Sequence, residues 1–129
     1  MEKKLSKSTN ALNWFEIPIT DFERAKKFYE AIFEIELTPI QMADYEMAMF
    51  PSEPPHVSGA LVKSSSHVPS TTGVVLYLNA NPDLQLVVDR IEAAGGQVSM
   101  PKTFIDEQTG YMAFFIDSEG NSMGLHSNT

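Results

Sequence analysis

Cysteine is absent from all 129 residues. That removes disulfides, thiolate nucleophiles and cysteine-ligated zinc together, and it fits a reducing cytoplasm. Basic residues are scarce as well. Nine Lys plus Arg stand against seventeen Asp plus Glu, a formal net charge of -8. A phosphate backbone is gripped by a stripe of basic side chains, and none runs along any segment, so no nucleic-acid partner is expected. The same acidity disfavours an anionic membrane surface, and no apolar run is long enough to span a bilayer. The polar stretch Met1–Asn10, with Lys3, Lys4 and Lys7, leads into no apolar h-region. It reads as a loose tail and not as a secretory signal. No Walker motif, dinucleotide glycine pattern or nucleophile elbow occurs. Asp117, Glu119 and Asn121 imitate the start of a calcium loop. Gly120 comes too early for the EF-hand and the closing glutamate is missing, so a hairpin turn is expected.

What is present is an ordinary globular balance, 43% hydrophobic and 20% charged, in a length that suits one core. Leu12–Ile19 alternates bulky residues and reads as a strand. Thr20 and Glu23 form a capping box, and Phe22, Ala25, Phe28, Tyr29, Ile32 and Phe33 then recur at helical spacing. Three short strands are expected at 36–41, 45–50 and 57–63. The Ser/Thr-rich segment 64–72 is the one plausible internal linker. The order then restarts. A strand at 73–78 precedes a helix with Asn81 as N-cap and Pro82 in its first position. Gly95-Gly96 ends that helix. Strands follow at 97–100, 111–116 and 122–126. The expectation is an α+β domain over 11–129, built from two tandem β-α-β-β-β modules at 11–63 and 73–127. Their curved mixed sheets surround a cavity and carry the helices on the outer face.

Several local motifs carry a family resemblance. They are Trp14-Phe15-Glu16-Ile17-Pro18 with Thr20-Asp21 and Phe28-Tyr29, then Gly59-Ala60-Leu61-Val62-Lys63. The second half adds Glu92-Ala93-Ala94-Gly95-Gly96, Pro101-Lys102-Thr103, Gly110 to Phe115 and Asp117 to Asn121. Together they resemble the vicinal-oxygen-chelate superfamily of glyoxalases, bleomycin-resistance proteins and extradiol dioxygenases, in particular its glyoxalase-like bacterial subgroup. The resemblance implies a metal ligand on the first and last strand of each half. Those positions fall on Trp14, Val74 and Gly124, with Gly59 or Leu61 as the fourth. None is a donor for a divalent cation, so neither a metal site nor a cofactor is expected. The resemblance also implies a homodimer.

Strand parity supplies the candidate residues. Side chains two apart share a face, so Trp14, Glu16 and Pro18 oppose Phe15 and Ile17. A carboxylate in an apolar strand needs a partner or a wet cavity. Glu16 is therefore the leading catalytic or anchoring candidate, and His126 its possible proton-shuttling companion. Lys63 is placed with them, and Trp14 and Tyr111 are expected to wall the ligand site. His56 and His67 are expected in solvent. The seven methionines are expected chiefly to fill the core. Two functions stay open. One is a binder of a small, partly apolar molecule. The other is a lyase, isomerase or dioxygenase-type enzyme with Glu16 as base or with a shifted metal site.

Overall fold

The computed structural model describes residues 4–129; the first three residues of the expected tail lie outside the described residues. The chain is α+β. Its elements are β1 (Trp14–Pro18), α1 (Phe22–Phe33), β2 (Thr38–Met42), β3 (Tyr45–Met49) and β4 (Ser58–Lys63), then β5 (Tyr77–Asn79), α2 (Gln85–Ala94), β6 (Gln97–Asp106), β7 (Gly110–Ile116) and β8 (Ser122–Ser127). Two four-stranded sheets result, ordered β1-β4-β3-β2 and β5-β8-β7-β6. In each, the first strand runs parallel to the last and the remaining pairs are antiparallel. The repeated strand-helix-strand-strand-strand pattern is thus a repeat of structure, and among the described residues no closed barrel forms.

One core serves both halves. Ile17, Ile19, Ala48 and Leu61 from the first sheet and Leu78, Ala113, Phe115 and Leu125 from the second meet Phe28, Tyr29, Ile32 and Ile91 of the helices. Each large side chain buried this way contributes about 1.5–3 kcal/mol. The opposite sheet faces do not join this core. In the first sheet that face holds its own small cluster of Met47, Ala60 and Val62. Of the methionines, Met47 and Met123 are buried while Met42 is exposed.

Several local details differ from expectation, each for a physical reason. The N-cap of α1 is Asp21, whose carboxylate accepts the Arg24 N–H at 3.0 Å. The Thr20 hydroxyl instead donates to Glu119, from the β7–β8 turn, at 2.9 Å, and Glu119 also accepts the Thr20 and Asp21 N–H groups at 2.9 and 2.8 Å. In α2 the helix starts at Gln85 instead of Pro82. Leu84 stands at the N-cap without a side-chain cap bond; Asp83, just before it, accepts the Gln85 N–H, while Asn81 accepts the Asn128 N–H. The strand expected at 73–78 narrows to Tyr77–Asn79, because 73–75 leave the sheet, where Val74 is 91% exposed, and Leu76 keeps only a carbonyl bond to the Gly124 N–H. The strand expected at 97–100 continues to Asp106. It does so through register shifts around Pro101, which has no N–H to give the ladder.

The turn Asp117–Asn121 joins the two halves. Gly120 takes φ 95°, which favours glycine. Asp117 accepts the Tyr29 hydroxyl at 2.7 Å, and Asn121 donates to the Pro18 carbonyl at 2.7 Å. Burial and the neighbouring Asp117 push the Tyr29 hydroxyl well above its ordinary pKa. The Glu119 side chain is fully buried and pairs with Arg24 at 2.7 Å. Burial alone would raise its pKa. The Arg24 hydrogen bond and the backbone donors of α1 outweigh it and hold the carboxyl at about 2.

This predicts a pH window. The folded pKa of Glu119 lies below its ordinary 4.5, so the unfolded chain takes up the proton first. The stabilisation is present above about pH 4.5 and is lost as the pH falls toward 2. With screening by the half-exposed Arg24, it amounts to on the order of 1–2 kcal/mol. Glu119→Gln is expected to lower thermal stability at neutral pH and to flatten the decline across this window. Melting curves recorded from pH 7 down to 2 check both.

Candidate functional site

Parity on β1 sets the site. Ile17 and Ile19 are buried against α1, whereas Trp14 and Glu16 stand on the opposite face. The alternative register would bury a carboxylate against Phe28 and Ala25 and expose two isoleucines, and it loses on both counts. β1 is an edge strand. Beside it runs a cleft of about 390 Å³. Trp14, Glu16 and Pro18 form one wall, and Val68, Leu76 and Met123 contribute apolar surface across from them. The far wall is held by the second half, since the Ser70 N–H donates to Asn121 Oδ1 and the Ser70 carbonyl accepts the Ser122 N–H.

Glu16 is partnered on both oxygens. The Trp14 indole N–H donates to Oε2 at 3.2 Å, and His67 Nε2 lies 2.8 Å from Oε1. A carboxylate only accepts, so Nε2 carries the proton and a neutral ring leaves Nδ1 as acceptor. Ser64 Oγ then donates to Nδ1 at 2.6 Å. The result is a chain Ser64–His67–Glu16–Trp14 that reaches the cleft at Glu16 and Trp14. The His67 side chain is only 15% exposed, against the expectation of a solvent histidine. It is the residue that sequence reasoning missed. The one available signal was indirect: a carboxylate in an apolar strand needs a donor, and the chain has three histidines.

The other expected members lie elsewhere. Lys63 pairs in register with Glu46 and shares its face of β4 with Leu61, so it points to the helix side, 3.8 Å from Glu46. Tyr111 alternates with Ala113 and Phe115 on β7 and likewise packs on the helix side. Phe104 lies beside it and the Lys102 ammonium 4.4 Å above its ring. Trp14 and Tyr111 therefore do not wall a common pocket. His126 does face away from the helices, beside Met112 in the neighbouring strand. It is in the second sheet, with Nε2 2.5 Å from the Thr109 carbonyl. Glu16 and His126 are not brought together, and His56 is exposed.

The donors present do not fit the metal that the fold implies. In the second sheet the residue opposite Gly124 is Tyr77 and not Val74. A methyl group at Gly124 would meet the Tyr77 ring at 2.7 Å, so an aromatic side chain occupies the space over that strand. Gly59 and Leu61 alternate onto the helix side, where Leu61 is buried. Among the described residues no three His, Cys, Asp or Glu side chains gather in one place.

Paired β-α-β-β-β units, each with its first strand parallel to its last, define a fold class. Residues 11–124 match the model of the Glyoxalase/Bleomycin resistance protein/Dioxygenase superfamily, and the chain belongs to that family. The proteins named "Putative glyoxylase CFP32" of Mycobacterium bovis and Mycobacterium tuberculosis are 30% identical over 97% of this chain. The chain spans about half of those relatives, 48% of their length. Among solved structures, a glyoxylase/bleomycin resistance protein/dioxygenase domain from Frankia sp. EAN1pec superposes with TM-score 0.70. It is 14% identical, covering 94% of this chain and 99% of that one. TnmS3, an antibiotic binding protein from Streptomyces sp. CB03234, superposes with TM-score 0.63. It is 21% identical, covering 96% and 100%.

The donor mismatch has a direct consequence. Addition of zinc, nickel or manganese in modest excess is expected to shift the melting temperature by less than about 1 °C, because a ligand that binds the native state raises it. A saturable rise with any of these ions would show a metal site formed by other donors.

Proposed function

We propose that the protein binds a small, partly apolar molecule in the cleft along β1, without the metal usual in its family. Glu16 anchors an amine or hydroxyl of the ligand and Trp14 packs against its apolar part. The observation that carries this reading is a carboxylate held in place on the wall of a cleft lined mainly by apolar side chains, with Ser70, Thr72, Asn121 and Ser122 as its uncharged polar members. A mainly apolar concavity with a few placed polar groups is the common design of ligand sites. The description of TnmS3 as an antibiotic binding protein supports it.

A second reading, a lyase or isomerase, is favoured by the contact between Glu16 and His67. Glu16 would act as base, with the His67 Nε2–H and the Trp14 indole N–H holding its carboxylate in place. In either case we propose a cytoplasmic homodimer. The open edge strands β2, with exposed Ile40 and Met42, and β5, with exposed Tyr77, support an interface that covers them. Light scattering is expected to give about twice the 14.3 kDa chain mass.

The test is calorimetric titration with bleomycin and with 1-naphthylamine, one large and one small amine with planar apolar groups. Saturable binding of at least one is expected, weakened about tenfold or more by Glu16→Gln, which removes a charged acceptor. No binding of either counts against the reading. Equal affinity in wild type and Glu16→Gln removes Glu16 from the site.

A further inference from the structure

The face of the first sheet turned away from α1 is covered, although no helix lies on it. Met47, Ala60 and Val62 are buried there, with Tyr45 and Met49 at their margin. The cover is the segment that follows β4. His67 bonds Glu16 on β1, while its ring stands edge-on to Tyr45 on β3, with centroids 5.3 Å apart and planes at 78°. Since β4 lies between β1 and β3, the imidazole crosses over β4 above Ala60 and Val62. It is presented by a tight turn, in which the His67 and Ser66 N–H groups both return to Ser64.

Two hydrogen bonds fix this ring, Nδ1 to Ser64 of its own turn and Nε2 to Glu16, and of these only the second ties it to β1. Among the described residues, the only hydrogen bond from 65–68 to the sheet is the one between His67 and Glu16. Ser65 and Ser66 are exposed, and Val68 is 71% exposed. The surroundings suit a flat ring: small Ala60 beneath, an aromatic edge beside, and deformable methionines around it. The covered patch and the open cleft meet at Glu16.

We infer that His67 is a displaceable occupant of the site. The space it fills accepts a planar heteroaromatic ring bearing an N–H, which donates to Glu16 Oε1 and sets its edge against Tyr45 as the imidazole does. This rests on the reading of Glu16 as ligand anchor and names the chemistry of the part it holds. The apolar remainder of such a ligand lies along Trp14 in the open cleft, and the turn at 64–67 swings aside to admit the ring.

The test empties the space and offers the ring back. His67→Ala is titrated with imidazole and with thiazole, a ring of the same size without an N–H, and the fluorescence of the single tryptophan is followed. For folded His67→Ala we expect saturable imidazole binding with Kd on the order of millimolar, the range for a fragment of this size. Wild type and thiazole should each be about tenfold weaker or more, and His67→Ala/Glu16→Gln should lose the preference for imidazole. Folded His67→Ala that ignores imidazole, or binds both rings alike, overturns the inference. If His67→Ala does not fold, hydrogen exchange of 64–68 in Glu16→Gln decides. Acceleration by about tenfold or more supports the latch, and unchanged protection overturns it. The two readings fail separately. Imidazole entering His67→Ala while Glu16→Gln binds bleomycin normally sinks only the cleft assignment. The reverse pattern sinks only this one.

Discussion

The buried turn between β7 and β8 is the contact on which the rest of the molecule depends. Asp117 lies almost wholly out of water, and a carboxylate there is tolerable only if its lone pairs are filled. They are filled by the Tyr29 hydroxyl, the Asn121 amide and two backbone N–H groups of its own turn. Two residues on, Glu119 fills the donor-rich start of α1. A helix start concentrates unsatisfied N–H groups and positive potential. A carboxylate from the other half of the chain therefore supplements the N-cap Asp21 by taking the N–H groups just ahead of the helix. The two halves are joined by directional polar bonds laid over a common apolar core, which fixes their relative position more tightly than apolar contact alone.

That joint is also what makes the cleft. Asn121 donates to the Pro18 carbonyl at the end of β1 and accepts from Ser70 in the connecting segment. A single side chain thus sets the spacing between the edge strand bearing Glu16 and the segment opposite. Position along the chain hides this, because the two contacts span 103 and 51 residues. The site is shaped by the same turn that caps α1, so substitutions in the turn should act on both stability and ligand affinity.

Much of the fold was legible because its signals are local. The helical spacing from Phe22 to Phe33 and the glycine pair after α2 act within a few residues. So does the alternation of Trp14 and Glu16 with Phe15 and Ile17. What escaped was long-range. Thr20 and Glu23 have the form of a capping box, yet nothing nearby announces that Glu119 will compete for the same N–H groups. Tyr111 looks like a pocket aromatic. Its face is decided by Ala113 and Phe115, which the core claims first, and strand parity then carries Tyr111 to the helix side. Lys63 follows Leu61 to the helix side for the same reason.

The pairing of Glu16 with His67 belongs to the same class of hidden contact, with one difference. Glu16 carried a physical demand visible from its neighbours: a charge in an apolar strand must find donors. The demand was right, but the donor was sought on another strand, at His126, because strands are where geometry can be reasoned from a sequence. The donor came instead from a serine-rich connection, whose path no periodicity describes. A segment with weak intrinsic structure can fold back where a strand cannot, and it can leave again at little cost in broken contacts. The residue hardest to place from the sequence is thus one that can move aside, and both properties have one origin: His67 is held by a few directional contacts and not by a packed core.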